Sequence, residues 1–513
     1  MLKDGKILIA KSKEKELFIE PSMANRHGLI TGASGSGKTI TLKVMAESFA
    51  SLGVPVFLSD VKGDLAATCM PGATNENLES RLSKLSISSF DYKGFPTIFW
   101  DVFGKNGHPV RATMASIGPT ILARMLGLNE TQEGVLAIIY KISRENGYEL
   151  TDLKDLRLLL QYIAENSKEY TIKYGNVASQ SVGTIQRALL RLEEEGATSF
   201  FGEPEIDIKD FIRTNESGIG NINILDCVEL YKKPTLYACF LLWLLNTINN
   251  ELPEVGDLEK PKMVFFFDEA HLLFDDLPGY MLTNIIQIVK LIRSKGVGLY
   301  FISQSPNDVP GEIIAQLGNK VQHTLRAYTP AEQKVVKAVA DSYRSNPEFN
   351  TEKAILELGT GEAVVSFLNE KGEPNVVEVG TILPPQSQMG TLDDSMRLMI
   401  ISRSEFKGKY DTPIDRESAF EILSKEMEEK EAEKMAEEQK KLDEKAEKEA
   451  EKQAAKEEKE QKKLEKEAEI ARKNSMSYKV EKAASKAVSR TTSSAFGTIG
   501  RKIGNEIIKS LFK

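Results

Sequence analysis

A glycine-rich segment near the start of the chain limits the possible folds more than any other feature. It consists of Gly32, Ala33, Ser34, Gly35, Ser36, Gly37, Lys38 and Thr39. The apolar run "GLIT" (28–31) precedes it, apolar side chains recur at helical spacing through 40–53, and "VPVFLSD" (54–60) then has the pattern of a buried strand. The segment matches G-x-x-x-x-G-K-S/T at every position, and a strand–loop–helix–strand context is the one in which this pattern predicts a phosphate-binding loop.

The residue types in this loop suit a nucleoside triphosphate. Glycine accepts unusual backbone dihedrals, so the N–H groups of 32–39 can come close to the β-phosphate. The helix that starts there adds the positive end of its dipole. Lys38 would neutralise charge on the β- and γ-phosphates, and the Thr39 hydroxyl would bind Mg²⁺. We therefore predict ATP and Mg²⁺ as ligands; the alternative, a chance match in a glycine-rich turn, leaves the flanking strand and helix unexplained.

A second segment, which ends in two acidic residues, supplies the other part of the predicted nucleotide site. "MVFFF" (263–267) has the pattern of a buried strand, and Asp268 follows at its C-terminal end, where α/β sheets hold ligands. We predict that Asp268 holds Mg²⁺ and that Glu269 orients and deprotonates the attacking water. Two solvated carboxylates after an edge strand are the alternative. The second strand ends in "DVKGDL", which places Asp60 and Asp64 near the same site without assigning them a role.

Three further polar residues are candidates for the reaction. Gln304 ends the strand pattern "LYFISQ", where its amide would contact the γ-phosphate or its water; a polar strand cap is the alternative. An arginine at a subunit edge can stabilise transition-state charge on a neighbour's nucleotide. Arg293 and Arg326 are the candidates for that role, and the spacing alone does not choose between them.

The order of strand and helix patterns predicts an α/β fold with a mostly parallel sheet covered on both faces. "LPPQSQ" (383–388) is interpreted as the end of the globular part. Between 415 and 475, Glu and Lys recur without a heptad, which favours a solvated helix with i,i+4 ion pairs over a coiled coil. The predicted division is a first part of the ATPase core (1–110), a mainly helical insertion (111–215), a second part of the core (216–390), a charged helix (415–475) and a basic amphipathic tail (476–513).

Composition narrows the class of protein. The formal net charge of −8 argues against a wholly basic nucleic-acid binder but leaves room for a local basic surface. The chain has three cysteines and opens on a charged segment without a long apolar run, which predicts a cytoplasmic protein. Its four histidines lack metal-ligand spacing, so Mg²⁺ is the metal that we predict.

The tail has its own pattern. Ile499, Ile503, Ile507 and Leu511 recur every four residues, with basic side chains off that stripe. The pattern predicts a basic amphipathic helix. Its apolar face could dock on the core, on a partner protein, or on an anionic membrane surface.

Three blocks of the sequence resemble a known family. The segment from "ANRHGLITGASGSGKT" to "DVKGDL", then "FFDEAHLLF" and "YFISQSPNDVPGEIIAQLGNKVQHTLRAYTP", look like the bacterial HerA-like ATPases of the HerA/FtsK group, which are RecA-like P-loop motors. The resemblance covers roughly 1–390. It implies a RecA-like core, a hexameric ring with ATP sites at subunit interfaces, and DNA through the centre. It also implies that Gln304 is the sensor and that Arg326 is the better arginine-finger candidate.

The function that we expect is an oligomeric ATPase that moves or remodels nucleic acid, with duplex DNA as the partner. The alternative is an ATP-driven switch or assembly platform for a protein partner, without translocation. A third, membrane-linked interpretation depends on the basic tail. Only 31 residues precede Gly32, so the resemblance does not extend to the amino-terminal domain of archaeal HerA proteins.

Overall fold

The structure of the chain, a computed structural model, describes residues 1–12, 15–274 and 279–473. The chain divides into a compact unit from Met1 to Lys425 and a second unit from Glu426 to Lys513. None of the helices in the described part of the chain is both long enough and apolar enough to cross a membrane.

One sheet organises the first unit. Its strands within the described residues are β1 (Leu2–Lys3), β2 (Lys6–Lys11), β3 (Glu16–Ile19), β4 (Gly28–Thr31), β5 (Val56–Asp60), β6 (Thr97–Asp101), β7 (His108–Pro109), β8 (Ile222–Asp226), β9 (Met263–Phe267), β10 (Val297–Ser303), β11 (Asn319–Gln322), β12 (Glu362–Ser366) and β13 (Glu378–Ile382).

Helices cover this sheet and extend the chain. In the same described residues they are α1 (Lys38–Ser51), α2 (Glu76–Lys84), α3 (Met114–Met125), α4 (Glu130–Asn146), α5 (Leu153–Glu165), α6 (Ser167–Tyr174), α7 (Ser179–Glu194), α8 (Pro234–Glu251), α9 (His271–Phe274), α10 (Gly279–Ile292), α11 (Gly311–Ile314), α12 (Pro330–Asp341), α13 (Thr351–Glu357), α14 (Asp394–Arg403) and α15 (Ala419–Lys473).

The sheet is mostly parallel. Its order is β1-β2-β13-β12-β11-β4-β10-β9-β5-β8-β6-β7, with β3 paired to β2. The strands from β11 to β7 in this order pair in parallel, and β12, β13, β2, β1 and β3 add an antiparallel edge. The predicted α/β class with a mostly parallel sheet is therefore confirmed.

The central strands are buried on both faces, which explains their continuous apolar sequences. Every residue of β9 and β10 is buried. Phe266 and Tyr300 stack across these strands with ring centroids 5.0 Å apart, and Phe49 of α1 lies 5.8 Å from Tyr300. Helices on both faces exclude water from such a sheet, so side chains of both alternations are apolar.

Five helices, α3 to α7, occupy the region in which the sequence shows helical periodicity. Leu156, Leu159, Leu160 and Ile163 of α5 are buried, as the spacing predicts for an amphipathic helix. The domain boundaries proposed from the sequence stay predictions.

The prediction that the globular part ends at 383–388 is wrong. Phe406 and Tyr410 are each 1% exposed and lie 5.2 Å and 5.9 Å from the ring of Trp100. The compact unit continues to Lys425. This segment buries isolated side chains from irregular backbone, so it has no periodic pattern from which the packing could be predicted.

The second unit is a charged helix in its described part. Every described side chain of α15 from 428 to 470 is exposed. Lys441 and Glu437 form an i,i+4 ion pair at 2.9 Å. The prediction of an amphipathic tail at 476–513 falls outside the described residues.

His27 is buried in the first unit and forms two hydrogen bonds through its ring. Its Nε2–H donates to the Val289 carbonyl at 2.8 Å, and its Nδ1 accepts the Leu299 N–H at 3.0 Å. Both bonds require the neutral ring, and burial lowers the pKa of His27 from 6.5 to about 4.

We predict that this histidine contributes to a loss of stability in acid. Because the unfolded chain binds the proton more readily, the contribution is present above pH 6.5 and is lost as the pH falls towards 4. For His27 this amounts to about 2 kcal/mol between pH 7 and pH 5. Urea unfolding at both values should show a smaller pH dependence for His27→Gln than for the wild type, and an equal dependence would contradict the assignment.

Candidate nucleotide and catalytic site

The candidate site lies where four neighbouring parallel strands end. In sheet order, β4, β10, β9 and β5 are adjacent. The carboxyl ends of parallel strands meet at one edge of a sheet, so the residues that follow these strands come together there. The phosphate-loop pattern follows β4, Gln304 follows β10, Asp268 follows β9, and Lys62 follows β5 by two residues.

The loop needs glycine at positions where neighbours approach its backbone. Gly32 has φ 153°, and a Cβ there would lie 2.5 Å from the Cβ of His323. Gly37 has φ 116°, and its Cβ would lie 3.2 Å from Gly361 Cα. Ala33 N–H donates to the Thr324 carbonyl at 2.8 Å. The loop conformation is thus built around the chain that follows β11.

A second contact fixes the other side of the loop. Gly361 N–H donates to the Ser36 carbonyl at 2.8 Å. Arg81 of α2 in turn donates to the carbonyl oxygens of Thr360, Gly361 and Ile382 at 2.8, 3.2 and 3.3 Å. The phosphate loop is therefore attached to the antiparallel edge of the sheet and, through it, to α2.

Lys38 occupies the interior of the loop. Its side chain is buried, and Nζ donates to the carbonyl oxygens of Gly32 and Ala33 at 2.7 Å and 3.2 Å. Burial lowers its pKa, while the charges of Glu269 and Asp268 act in the opposite direction. Ser36 Oγ is buried without a hydrogen-bond partner among the described residues. A cation and an unpaired hydroxyl inside a glycine loop fit a phosphate.

Asp268 presents an unpaired oxygen at the end of β9. It is 4% exposed, and its Oδ1 accepts the Glu269 N–H at 3.0 Å. Its Oδ2 is buried without a hydrogen-bond partner in the part of the chain that the structure describes. Burial, followed by the neighbouring charge of Glu269, raises the pKa of Asp268 to about 6. An added divalent cation would satisfy this oxygen, so the residue fits the predicted role of holding Mg²⁺.

Glu269 is held on a strained backbone. Its φ is +49°, a region that residues other than glycine seldom adopt. Oε1 accepts from Lys62 Nζ at 2.5 Å, and Oε2 lies 3.4 Å from His271 Nδ1. Burial, the largest single cause, favours the protonated form, but the hydrogen bond and charge of Lys62 together with the charge of His271 and the Gln304 side chain outweigh it, and the pKa of Glu269 is lowered overall. The carboxylate is therefore ionised and able to accept a proton.

Gln304 connects the loop to this carboxylate. Ser34 Oγ donates to Gln304 Oε1 at 3.4 Å, and the nearby Gln304 side chain contributes to the lowered pKa of Glu269. One amide thus lies between the tip of the phosphate loop and the predicted base. The sensor role expected from the sequence stays a prediction.

The two arginine candidates lie in different places. Arg326 is exposed and lines a groove of about 570 Å³ together with Ser34, Gln304 and His271. Arg293 precedes β10, at the opposite end of that strand from Gln304. The structure therefore brings Arg326, and not Arg293, to the site of its own chain.

Sequence reasoning missed three residues of this site: Lys62, His271 and His323. His323 is buried and neutral, since burial lowers its pKa to about 4, and its Nε2 lies 2.8 Å from Thr41 Oγ1. Lys62 lies inside "DVKGDL", a segment placed near the site for its aspartates. Only the pairing of β5 with β9 shows that Lys62 lies beside Glu269, and this pairing cannot be inferred from the sequence.

Comparison with known proteins decides the family. The model of the family described as "Helicase HerA-like C-terminal" matches residues 6–511. The chain belongs to the HerA-like C-terminal family. The resemblance stated from the sequence is confirmed.

Curated relatives of this HerA-like chain are archaeal. It is 22% identical over 410 residues to the "DNA double-strand break repair helicase HerA" of Sulfolobus acidocaldarius, an alignment that covers 76% of this chain and 70% of the relative. It is 30% identical over 398 residues to a "Probable helicase" of Methanocaldococcus jannaschii, covering 70% of this chain and 66% of the relative. The chain thus spans about two thirds of these proteins.

A solved structure shares the fold of this HerA-like chain. The plasmid coupling protein TrwB, solved in complex with a non-hydrolysable GTP analogue, superposes with a TM-score of 0.50 at 14% identity. The match covers 77% of this chain and 92% of TrwB. At that identity the likeness establishes the P-loop α/β fold alone.

We predict that Lys38→Ala abolishes tight ATP binding, because the phosphates lose the cation inside the loop. Calorimetric titration with a non-hydrolysable ATP analogue is the measurement. Lys353→Ala is the matched control, since Lys353 forms an exposed i,i+4 pair with Glu357. Wild-type affinity in Lys38→Ala would show that the nucleotide does not bind at this loop.

Proposed function

We propose that the chain hydrolyses ATP and, as a hexameric ring, uses that reaction to move or remodel duplex DNA. The observation that carries the proposal is the convergence of four side chains at one edge of the sheet. A buried lysine, two buried carboxylates and a bridging amide, contributed by Lys38, Asp268, Glu269 and Gln304, follow three adjacent strands. Binding a nucleotide needs the phosphate loop with its lysine and Mg²⁺, whereas the ionised Glu269 supplies a base for hydrolysis.

Each residue has a part in the proposed reaction. Lys38 and the loop N–H groups bind the phosphates. Gln304 contacts the γ-phosphate or its water and acts as the sensor of the bound nucleotide. A water oxygen forms a bond to the γ-phosphorus while the bond to the bridging oxygen of ADP breaks, and Glu269 takes the water's proton. Mg²⁺, when bound, neutralises charge on the phosphate oxygens, and Thr39 and Asp268 would hold it.

Family membership supports the choice of polymer. The relatives from Sulfolobus acidocaldarius and Sulfurisphaera tokodaii are both named as DNA repair helicases. DNA phosphates attract basic surfaces, and a chain of net charge −8 must provide such a surface locally. A ring places one local surface from each subunit around a shared channel. We propose the cytoplasm as its location, on the composition described above.

The alternative proposal is an ATP-driven switch or assembly platform for a protein partner. The exposed part of α15, from 428 to 470, favours it, because a long charged helix is available to a partner. In this case the ATP site works as described but DNA has no effect on it.

We predict that duplex DNA stimulates ATP turnover and that raising the salt concentration weakens this stimulation. Neutralising Z phosphates gives a slope of about −0.9Z in log K against log salt. Steady-state turnover, measured with and without duplex DNA at two salt concentrations, tests the proposal.

Glu269→Gln is the control for this assay. It should bind ATP and lose at least ~100-fold in turnover, because the amide cannot take a proton. ATP turnover that is the same with and without duplex DNA at low salt favours the protein-partner alternative. Wild-type turnover in Glu269→Gln would contradict the assignment of the base.

We also predict that Arg326→Ala keeps nucleotide affinity and lowers turnover in the assembled oligomer by ~10³-fold or more, the scale of arginine fingers supplied by a neighbour. Arg403→Ala, at the exposed end of α14, is the matched control. Turnover and nucleotide affinity are measured for both variants.

Mixing Arg326→Ala with Glu269→Gln subunits tests which chain the arginine serves. If it acts on a neighbour, mixed rings contain interfaces with both residues intact, and activity returns. If it acts on the nucleotide of its own chain, whose groove it lines, no site in the mixture is complete. Absence of rescue after confirmed mixing would contradict a role in trans.

A further inference from the structure

The turn after β5 brings a lysine to the candidate base. Asp60, at the end of β5, accepts the N–H groups of Gly63 and Leu65 at 2.7 Å and 3.2 Å. Gly63 adopts φ +75°, which allows the chain to reverse. The Asp60 carboxylate is buried and fixes the turn on which Lys62 is carried.

The contact between Lys62 and Glu269 is asymmetric. Nζ lies 2.5 Å from Oε1, and the side chains are 51% and 7% exposed, respectively. The carboxylate is therefore enclosed, while the stem of the lysine reaches it from the surface. An ion pair of two exposed side chains contributes little, but removing the partner of a buried carboxylate leaves an uncompensated charge.

The two carboxylate oxygens differ in their partners. Oε1 is occupied by the ammonium group of Lys62. Oε2 is buried and has no hydrogen-bond partner among the described residues, with His271 Nδ1 3.4 Å away. At the other end of the residue, Asp268 accepts the Glu269 N–H. Both ends of Glu269 are thus fixed, and one buried acceptor is left for water.

We propose that Lys62 is a positioning residue for ATP hydrolysis, which holds Oε1 of Glu269 so that Oε2 accepts the proton of the attacking water. The inference rests on the proposed function. Lys62 does not touch the reacting atoms in this arrangement; it fixes the direction from which the base approaches them. A misplacement of ~1 Å in a reacting group costs up to about 100-fold in rate.

A surface pair elsewhere provides the comparison. Lys232 and Glu229 lie 3.0 Å apart, and their side chains are 52% and 51% exposed. Lys232 is as exposed as Lys62, but its carboxylate partner is not enclosed. Removing Lys232 tests the loss of an exposed lysine without the loss of a buried contact.

The experiment measures kcat, KM and ATP affinity for Lys62→Met, Lys62→Gln and Lys62→Arg, with Lys232→Met as the matched control. Lys62→Met should lower kcat by about 10- to 100-fold and leave KM and ATP affinity within about 3-fold. Lys62→Arg should recover most of kcat, because a cation again reaches Oε1. Lys62→Gln, which keeps a hydrogen-bond donor without the charge, should fall between them, and Lys232→Met should behave as the wild type.

The outcomes separate this inference from the proposed function. If the wild type hydrolyses ATP, Glu269→Gln does not, and Lys62→Met has the wild-type kcat, the inference is overturned and the function stands. A loss confined to KM or ATP affinity overturns it as well, because Lys62 would then serve binding. A wild-type chain without ATP turnover overturns both. If the thermal unfolding profile shows that Lys62→Met does not fold, Lys62→Gln is compared with Lys62→Arg instead. A lower kcat in Lys62→Gln supports the inference, and an equal kcat overturns it.

Discussion

Parallel pairing of β4, β10, β9 and β5 is the constraint on which the site depends. Each strand is short and buried on both faces, so its polar residues, apart from Tyr300, lie in its last two positions or beyond them. Parallel pairing then collects these strand ends at one edge. Lys38, Glu269, Gln304 and Lys62 are widely separated in the sequence, and the hydrogen-bonded register of four strands is what brings them together.

Positive and negative side chains lie together at this edge of the sheet. Lys38 and Lys62 face Asp268 and Glu269, and desolvation acts on all four groups. The balance is uneven, because Glu269 has a direct cationic partner and one oxygen of Asp268 has no partner among the described residues. Two adjacent carboxylates thereby differ: the lowered pKa of Glu269 suits the proposed base, and the unpaired oxygen of Asp268 suits the proposed metal site.

Much of this site could be predicted from local sequence because the loop, the strand ends and their acidic residues have local signatures. Gln304 was assigned from its place after a strand, and the structure shows it between Ser34 and Glu269. Lys62 could not be assigned, since its role depends on β5 lying beside β9. The burial of Phe406 and Tyr410 was also missed, because an irregular segment buries them without a repeating pattern.

The hydrogen bond from Gly361 N–H to the Ser36 carbonyl connects the candidate phosphate loop to a helix outside the site. A displacement of the loop at Ser36 either breaks the hydrogen bond from Gly361 or displaces Gly361 as well. Arg81 connects that glycine to α2 through a hydrogen bond to its carbonyl oxygen. Three hydrogen bonds from Arg81 to carbonyl oxygens, each worth about 1.5–3 kcal/mol, hold α2 against this edge of the sheet. Glu76 and Glu79 of α2 are exposed, so a shift of the loop on nucleotide binding would be carried through these contacts to a helix on the outer surface.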